Sequence, residues 1–231
     1  MRVNVLQHAP NEGPGSIQAW CHARDNEMFV YHPGNFGILP TVDETDLLVV
    51  LGSPNSPNDD LDWVKNERVL IRKMLDQHKP ILGICFGSQQ IAKTLGYKVL
   101  DAPAKEVGWA PVYLQDQTIT GIPDKLTALH WHEQMSEIPT EAKLLFSSDL
   151  VKNQGFLLGD NVIGLQFHFE PQIDNVREIA INDGAYALEN NDLHQTPTEI
   201  INHGVPEKNK DVMFTLLDFI AKYAKRLGSK F

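Results

Sequence analysis

Two short, almost unbroken apolar runs restrict the possible folds most: "DLLVVLG" at 46–52 and "PILGIC" at 80–85, set around an amphipathic stretch. Strands that read as continuous hydrophobics are buried on both faces, as in parallel sheets covered by helices on either side. Between the runs, "LDWVKNERVLIRKMLDQH" (61–78) places Leu61, Val64, Val69, Leu70 and Leu75 at roughly helical spacing with charges between them. Upstream, "RVNVLQHA" (2–9) and "EMFVYHP" (27–33) read as strands joined by a helix in "SIQAWCHARD" (16–25). Downstream, "SQQIAKTLG" (88–96) is a helix ended by Gly96. This alternation predicts an α/β fold, a mostly parallel central sheet flanked by helices. From 97 to 170 an added β-rich segment follows ("EVGWAPVYL", "KLLFSSD", "GFLLGDN", "VIGLQFHFE"), with Asp160–Asn161 as a hairpin turn. A helix at 173–182, a polar loop and a helix at 211–228 complete the chain. No repeat or linker divides it, so a single domain over 1–231 is expected.

Composition narrows the function classes. Hydrophobic residues make up 42% and charged residues 22%, enough apolar material for a packed core. The formal net charge of −10 argues against a sequence-independent grip on nucleic acid. Two cysteines make no disulfide framework. The opening "MRVNVLQHAPNEGPG" lacks the apolar core of a signal peptide, and no apolar run approaches a membrane span. A cytoplasmic setting without membrane partners is the expectation.

One of the two cysteines, Cys85, stands where the "PILGIC" strand meets the following helix, fenced by Gly83 and Gly87. A residue at such an elbow lies at the carboxyl edge of the sheet, beside the free N–H groups and partial positive charge of a helix N-terminus. That environment favours thiolate and hence nucleophilic chemistry. Taken alone, a free cysteine also fits a buried small hydrophobe. A nucleophile needs a base and the base an orienting partner. In "GLQFHFEP" (164–171) the two-residue strand period puts His168 and Glu170 on one face and Phe167 and Phe169 on the other. By itself that pair also fits a solvated ion pair. "LGSPNSPND" (51–59) is a loop at a strand end whose backbone N–H groups could face a developing oxyanion.

Together, "GICFGSQ" at the elbow, "HFE" at 168–170 and the "GSP" loop before them resemble the triad-type (class I) glutamine amidotransferases, in the family's order and over about residues 2 to 171. The resemblance implies the flavodoxin-like architecture of that family. It further implies that Cys85 attacks a glutamine side-chain amide, that His168 relays protons and that Glu170 orients it. The oxyanion would be held by the N–H of Phe86 and one from the Gly52–Ser53 turn. Gln89 would seat the substrate, with Gly87 beside it on the elbow. A γ-glutamyl thioester would form and water would release glutamate after ammonia leaves. Phe169 replaces a proline frequent in the family, and Ser53 replaces a glycine of the oxyanion loop. "LHWHEQM" (129–135) falls where relatives carry a substrate-holding loop, making Trp131, His132 and Glu133 substrate contacts, with Glu133 in place of a glycine.

No cofactor is expected. His130 and His132 share a strand face, yet no third His or Cys stands at a convincing spacing, and structural zinc usually takes four ligands, so no metal is expected. Family members normally pass ammonia to a synthase domain or subunit, so a synthase partner is one expectation. A rival within the fold is a γ-glutamyl hydrolase or peptidase acting on larger amides. A reading from another class is a binding or redox-sensing protein that keeps a reactive Cys85 without turnover.

Overall fold

The computed structural model describes residues 1–228; residues 229–231, the end of the expected domain, lie outside the described residues. Five strands form a parallel centre: β1 (Arg2–Leu6), β2 (Glu27–Tyr31), β3 (Leu47–Val50), β4 (Ile81–Ile84) and β9 (Val162–Leu165). The sheet continues antiparallel through β8 (Gly155–Leu158), β7 (Ala142–Ser147), β5 (Val99–Leu114) and β6 (Lys125–Ser136), in the order β2-β1-β3-β4-β9-β8-β7-β5-β6. The predicted α/β sheet and its β-rich extension are therefore one continuous surface.

Why the two apolar runs become central strands is visible in their packing. Leu47 and Val49 face a cluster with Ile17 and Trp20 of α1 (Ser16–Ala23) and Leu216 and Ile220 of α8 (Glu207–Gly228). Leu48 and Val50 face Leu70, Ile71 and Met74 of α3 (Asp62–Asp76), together with Ile91 of α4 (Phe86–Thr94). All four β3 residues are fully buried, so each contributes about 1.5–3 kcal/mol of burial free energy. Cys21 faces the first cluster from α1, and burial pushes its thiol up to about 11, an inert core position.

Two local expectations change. The strand expected at 162–170 ends at Leu165, and beyond it only a bridge between His168 and Leu129 of β6 remains. The polar loop after α5 (Ile173–Asn182) contains two short helices, α6 (Gly184–Leu188) and α7 (Pro197–His203). The second starts at Thr196-Pro197 with Glu199, a capping box in which Thr196 Oγ1 accepts from Glu199 N–H and the Glu199 carboxylate from Thr196 N–H. Without a long apolar stripe, so short a helix gives little periodic signal.

The closest approach of helix to sheet is at α4. A Cβ on Gly87 would lie 2.0 Å from the Val50 carbonyl oxygen, and one on Gly83 would lie 2.6 Å from the Gly87 backbone. Neither partner is a flexible side-chain end, so both positions require glycine. Gly87→Ala is expected to lower stability by about 1–3 kcal/mol or more, read as a lower urea midpoint at unchanged m-value. A midpoint equal to that of the unsubstituted chain would contradict this packing.

Candidate active site

Cys85 occupies the turn between β4 and α4 with φ 51 and ψ −110. A positive φ costs a non-glycine residue free energy, so the flanking elements must hold it. Its N–H donates to Leu165 of β9 at 2.7 Å, and its carbonyl accepts from the N–H groups of Ser88 and Gln89 at 3.0 and 3.2 Å. The strained turn presents the thiol at the carboxyl end of the parallel strands. Its S–H donates to the Trp131 carbonyl at 3.8 Å, and Gln166 Nε2 donates to the sulfur at 3.7 Å.

His168 and Glu170 arrive on the segment after β9. His168 exchanges backbone hydrogen bonds with Leu129 of β6, N–H to carbonyl at 2.8 Å and carbonyl from N–H at 3.2 Å. The alternation read from sequence persists: Phe167 and Phe169 pack edge to face in the core, ring centroids 4.7 Å apart. On the other side, His168 Nδ1 meets Glu170 Oε1 at 2.6 Å, which leaves Nε2 for Cys85. Burial pulls the ring's pKa down. The Glu170 carboxylate and the contact with Cys85 outweigh it and hold His168 well above its ordinary value. Glu170 is fixed in turn from α1, where Ser16 N–H donates to its carbonyl oxygen at 2.8 Å.

Backbone donors converge on the same spot. Phe86 opens α4, so its N–H has no acceptor within the helix. The Gly52 carbonyl is bound by His8 Nδ1–H at 2.9 Å, and His8 Nε2 meets Glu67 of α3 at 2.6 Å. In a trans peptide the C=O and the following N–H point in opposite directions. Anchoring the Gly52 carbonyl on His8 therefore turns the Ser53 N–H away from His8. Ser53 lines, with Cys85 and Phe86, a cavity of about 530 Å³.

A sequence model of the family "Glutamine amidotransferase class-I" matches residues 25–183. The chain belongs to the class I glutamine amidotransferase family. The chain is 31% identical to a glutamine amidotransferase-like protein, YfeJ, of Salmonella typhimurium, over 76% of this chain and 78% of that protein. It is 28% identical to gamma-glutamyl peptidase 3 of Arabidopsis thaliana, over 62% of each. It is 32% identical to a glutamine-hydrolysing GMP synthase component of Sulfolobus acidocaldarius, over 55% of this chain and 68% of that one. The crystal structure of a glutamine amidotransferase from Thermotoga maritima superposes with a TM-score of 0.87 at 25% identity, covering 96% of this chain and 98% of that one. The flavodoxin-like architecture expected from sequence is the one observed.

In this member of the family, Ser53, Cys85, Phe86, Gln89, Trp131, His132 and Glu133 all line the same cavity. His168 and Glu170 line a smaller recess beside it. Gly87 stands apart, turned toward Val50 on β3, so its contribution is the helix–sheet approach and not a cavity wall. The Gln89 amide is engaged internally, donating to the Gln134 carbonyl at 3.2 Å and Gln166 Oε1 at 3.1 Å. Trp131 Nε1 donates to Asp183 at 2.8 Å. Glu133 is exposed, 4.0 Å from Lys105.

Sequence reasoning missed several groups. His8 and Glu67 fix the Gly52 turn, and Glu12 lies so close to Gly52 that a Cβ there would be 1.9 Å from its carboxylate. Burial pushes the Glu12 carboxyl up, against the pull of His168 and His8. Asp183 and Tyr186 close the cavity from α6 and its N-cap. None lies in a motif; only "QHAPNEGPG", dense in turn formers right after a strand, signals a loop at the carboxyl edge.

Burial lowers the pKa of His8, but Glu67, the Gly52 carbonyl and Glu12 together raise it further, leaving it above the ordinary value. The His8–Glu67 stabilisation is therefore fully present below about pH 6.5 and is lost as pH rises through the higher folded value. Against His8→Gln, which keeps a donor for Gly52 but cannot charge, the stability advantage of the unsubstituted chain is expected to be largest near pH 6 and to shrink toward pH 9 in urea titrations. An advantage that grows with pH would contradict the assignment.

Proposed function

We propose that this amidotransferase-family chain hydrolyses a γ-glutamyl amide through a thioester on Cys85, with glutamine as the primary substrate. The observation that carries the reading is the strained elbow thiol in contact with His168, itself hydrogen-bonded to Glu170 at 2.6 Å. In the first half-reaction the Cys85 thiol gives its proton to His168 and the sulfur attacks the amide carbon. The oxyanion forms against the N–H groups of Phe86 and Ser53. The His168 imidazolium, stabilised by Glu170, gives its proton to the departing nitrogen, so ammonia leaves and not an amide anion. Neutral His168 then takes a proton from water, which attacks the thioester and releases glutamate. Trp131, His132, Glu133 and Gln89 stand around the space that the glutamyl group would fill.

A specific observation favours a second reading, in which the leaving group is larger. The cavity of about 530 Å³ lies in the range that holds drug-sized ligands, roughly 300–1,000 Å³, well beyond what a glutamine side chain needs. Gamma-glutamyl peptidase 3 is among the relatives. The acyl half of the chemistry is the same, and only the amine side differs. The GMP synthase component among the relatives supports the companion proposal that a synthase partner receives the ammonia.

Steady-state assays with glutamine and a panel of γ-glutamyl amides separate the two readings by kcat/KM. Cys85→Ala is expected to cost about 10⁶-fold in kcat and Glu170→Gln about 10⁴-fold. A diazoketone analogue of glutamine should add its mass to the chain and not to Cys85→Ala. An adduct that persists in that variant, or reversible oxidation of Cys85 without turnover of any γ-glutamyl compound, would overturn the proposal.

A further inference from the structure

Behind the cavity wall, the β5–β6 hairpin gathers a group that no catalytic role uses. Glu106 of β5 pairs directly across the ladder with His132 of β6, and His130 lies two residues back on the same strand. The two-residue period therefore puts all three side chains on one face. None is more than 3% exposed. His132 Nε2 is 3.1 Å and His130 Nδ1 3.4 Å from the same oxygen, Glu106 Oε2, and the three donor atoms lie within 4.8 Å of one another. Tetrahedral zinc with bonds of about 2.0–2.1 Å sets its donor atoms about 3.3–3.4 Å apart, close to the two spacings at Glu106 Oε2.

Hydrogen bonding leaves a positive centre wanting. His132 Nδ1 lies 3.2 Å from the Gln134 carbonyl, which can only accept, so Nδ1 carries a hydrogen. In the neutral ring Nε2 then points a lone pair at the Glu106 carboxylate. Neither buried ring nitrogen of His130 makes a hydrogen bond; Nδ1 has only its 3.4 Å approach to Glu106 Oε2, and a bound cation would satisfy it there. Gln154 braces the cluster from the side: its amide Nε2 donates to Glu106 Oε2 at 2.5 Å and to Ser148 Oγ at 3.1 Å, too close to the carboxylate oxygen to share an ion with it. Ser148 Oγ donates to the other Glu106 oxygen at 2.7 Å, holding the carboxylate as an outer partner holds a metal ligand.

We propose that Glu106, His130 and His132 form a buried site with three protein ligands for zinc or a similar divalent transition ion. Imidazole and carboxylate donors suit such an ion. The ion would enter through the cavity, which His132 also lines. Its effect would reach the substrate side through the Gln134 carbonyl, shared by His132 Nδ1 and by Gln89 Nε2.

The test uses full-length Cys85→Ser protein, so that the elbow thiol cannot capture the ion. After treatment with a chelator, zinc is titrated and bound metal measured by plasma mass spectrometry. Cobalt(II) is added in parallel and its absorption recorded. The expected result is one equivalent of either ion, a rise in Tm with zinc, and cobalt bands of a tetrahedral nitrogen/oxygen site without a thiolate charge-transfer band. His130→Phe, which keeps an aromatic ring in the core, should abolish uptake. Ser148→Ala, milder and expected to fold in any case, should weaken it about 10–100-fold. Failure to bind either ion, a thiolate or octahedral cobalt spectrum, or uptake unchanged in both variants would overturn the proposal and leave a proton shared by Glu106 and His132 as the buried positive centre.

Discussion

Everything about the site depends on how closely α4 lies against the sheet. Glycines at 83 and 87 let the helix backbone sit on β3 and β4 with no side chain between them. The chain can then reverse from strand to helix within one residue, and that residue is Cys85, at φ 51. A longer turn would avoid the positive φ, but it would also let the thiol swing and would move the Phe86 N–H away from it. The strain is thus tied to the placement of the Cys85 thiol and a backbone donor on one rigid corner, an arrangement expected at sites rather than in ordinary turns.

The remaining parts are brought to that corner by the sheet order. β3 and β9 flank β4, so the loops after them, carrying Ser53 and His168, emerge on either side of Cys85. The antiparallel extension then folds β6 back so that Leu129 bridges His168 and the Trp131 carbonyl meets the sulfur. Because strands at the centre of the sheet are buried on both faces, their carboxyl ends are held with little freedom. That rigidity suits the proposed reaction, whose donors must be in place before charge develops.

How much of this is legible in the sequence follows from the kind of signal each part leaves. The central strands and their covering helices write long, periodic hydrophobic patterns, and "DLLVVLG", "PILGIC" and the 61–78 stretch form the elements that those patterns predict. The Cys85, His168 and Glu170 grouping is legible because each lies in a short local motif whose spacing reflects a turn or a strand period. Glu12, His8, Glu67 and Asp183 are not, since they meet the site only through tertiary contacts between residues far apart in the chain. Glu106 is the plainest case: His130 and His132 stand out as a pair on one strand face, but the third group arrives across a hairpin from 24 or more positions earlier. The α6 and α7 helices are hidden for another reason, being too short to carry a period.

The wide sequence spacing of the site also has a consequence for the nascent chain. Gln166, which donates to the Cys85 sulfur, stands 81 positions beyond it, and His168 lies further still. During synthesis the central strands β1, β3 and β4 emerge well before the segment that carries His168, and β9 must insert beside β4 to deliver it. Until then the thiol has neither His168 nor the β9 hydrogen bond that holds its turn. The surroundings of Cys85 are therefore completed late and all at once, with the closing of the sheet. Non-local pairings of this kind form slowly, so the interval in which the cysteine exists without His168 and Gln166 is built into the order in which the chain is made.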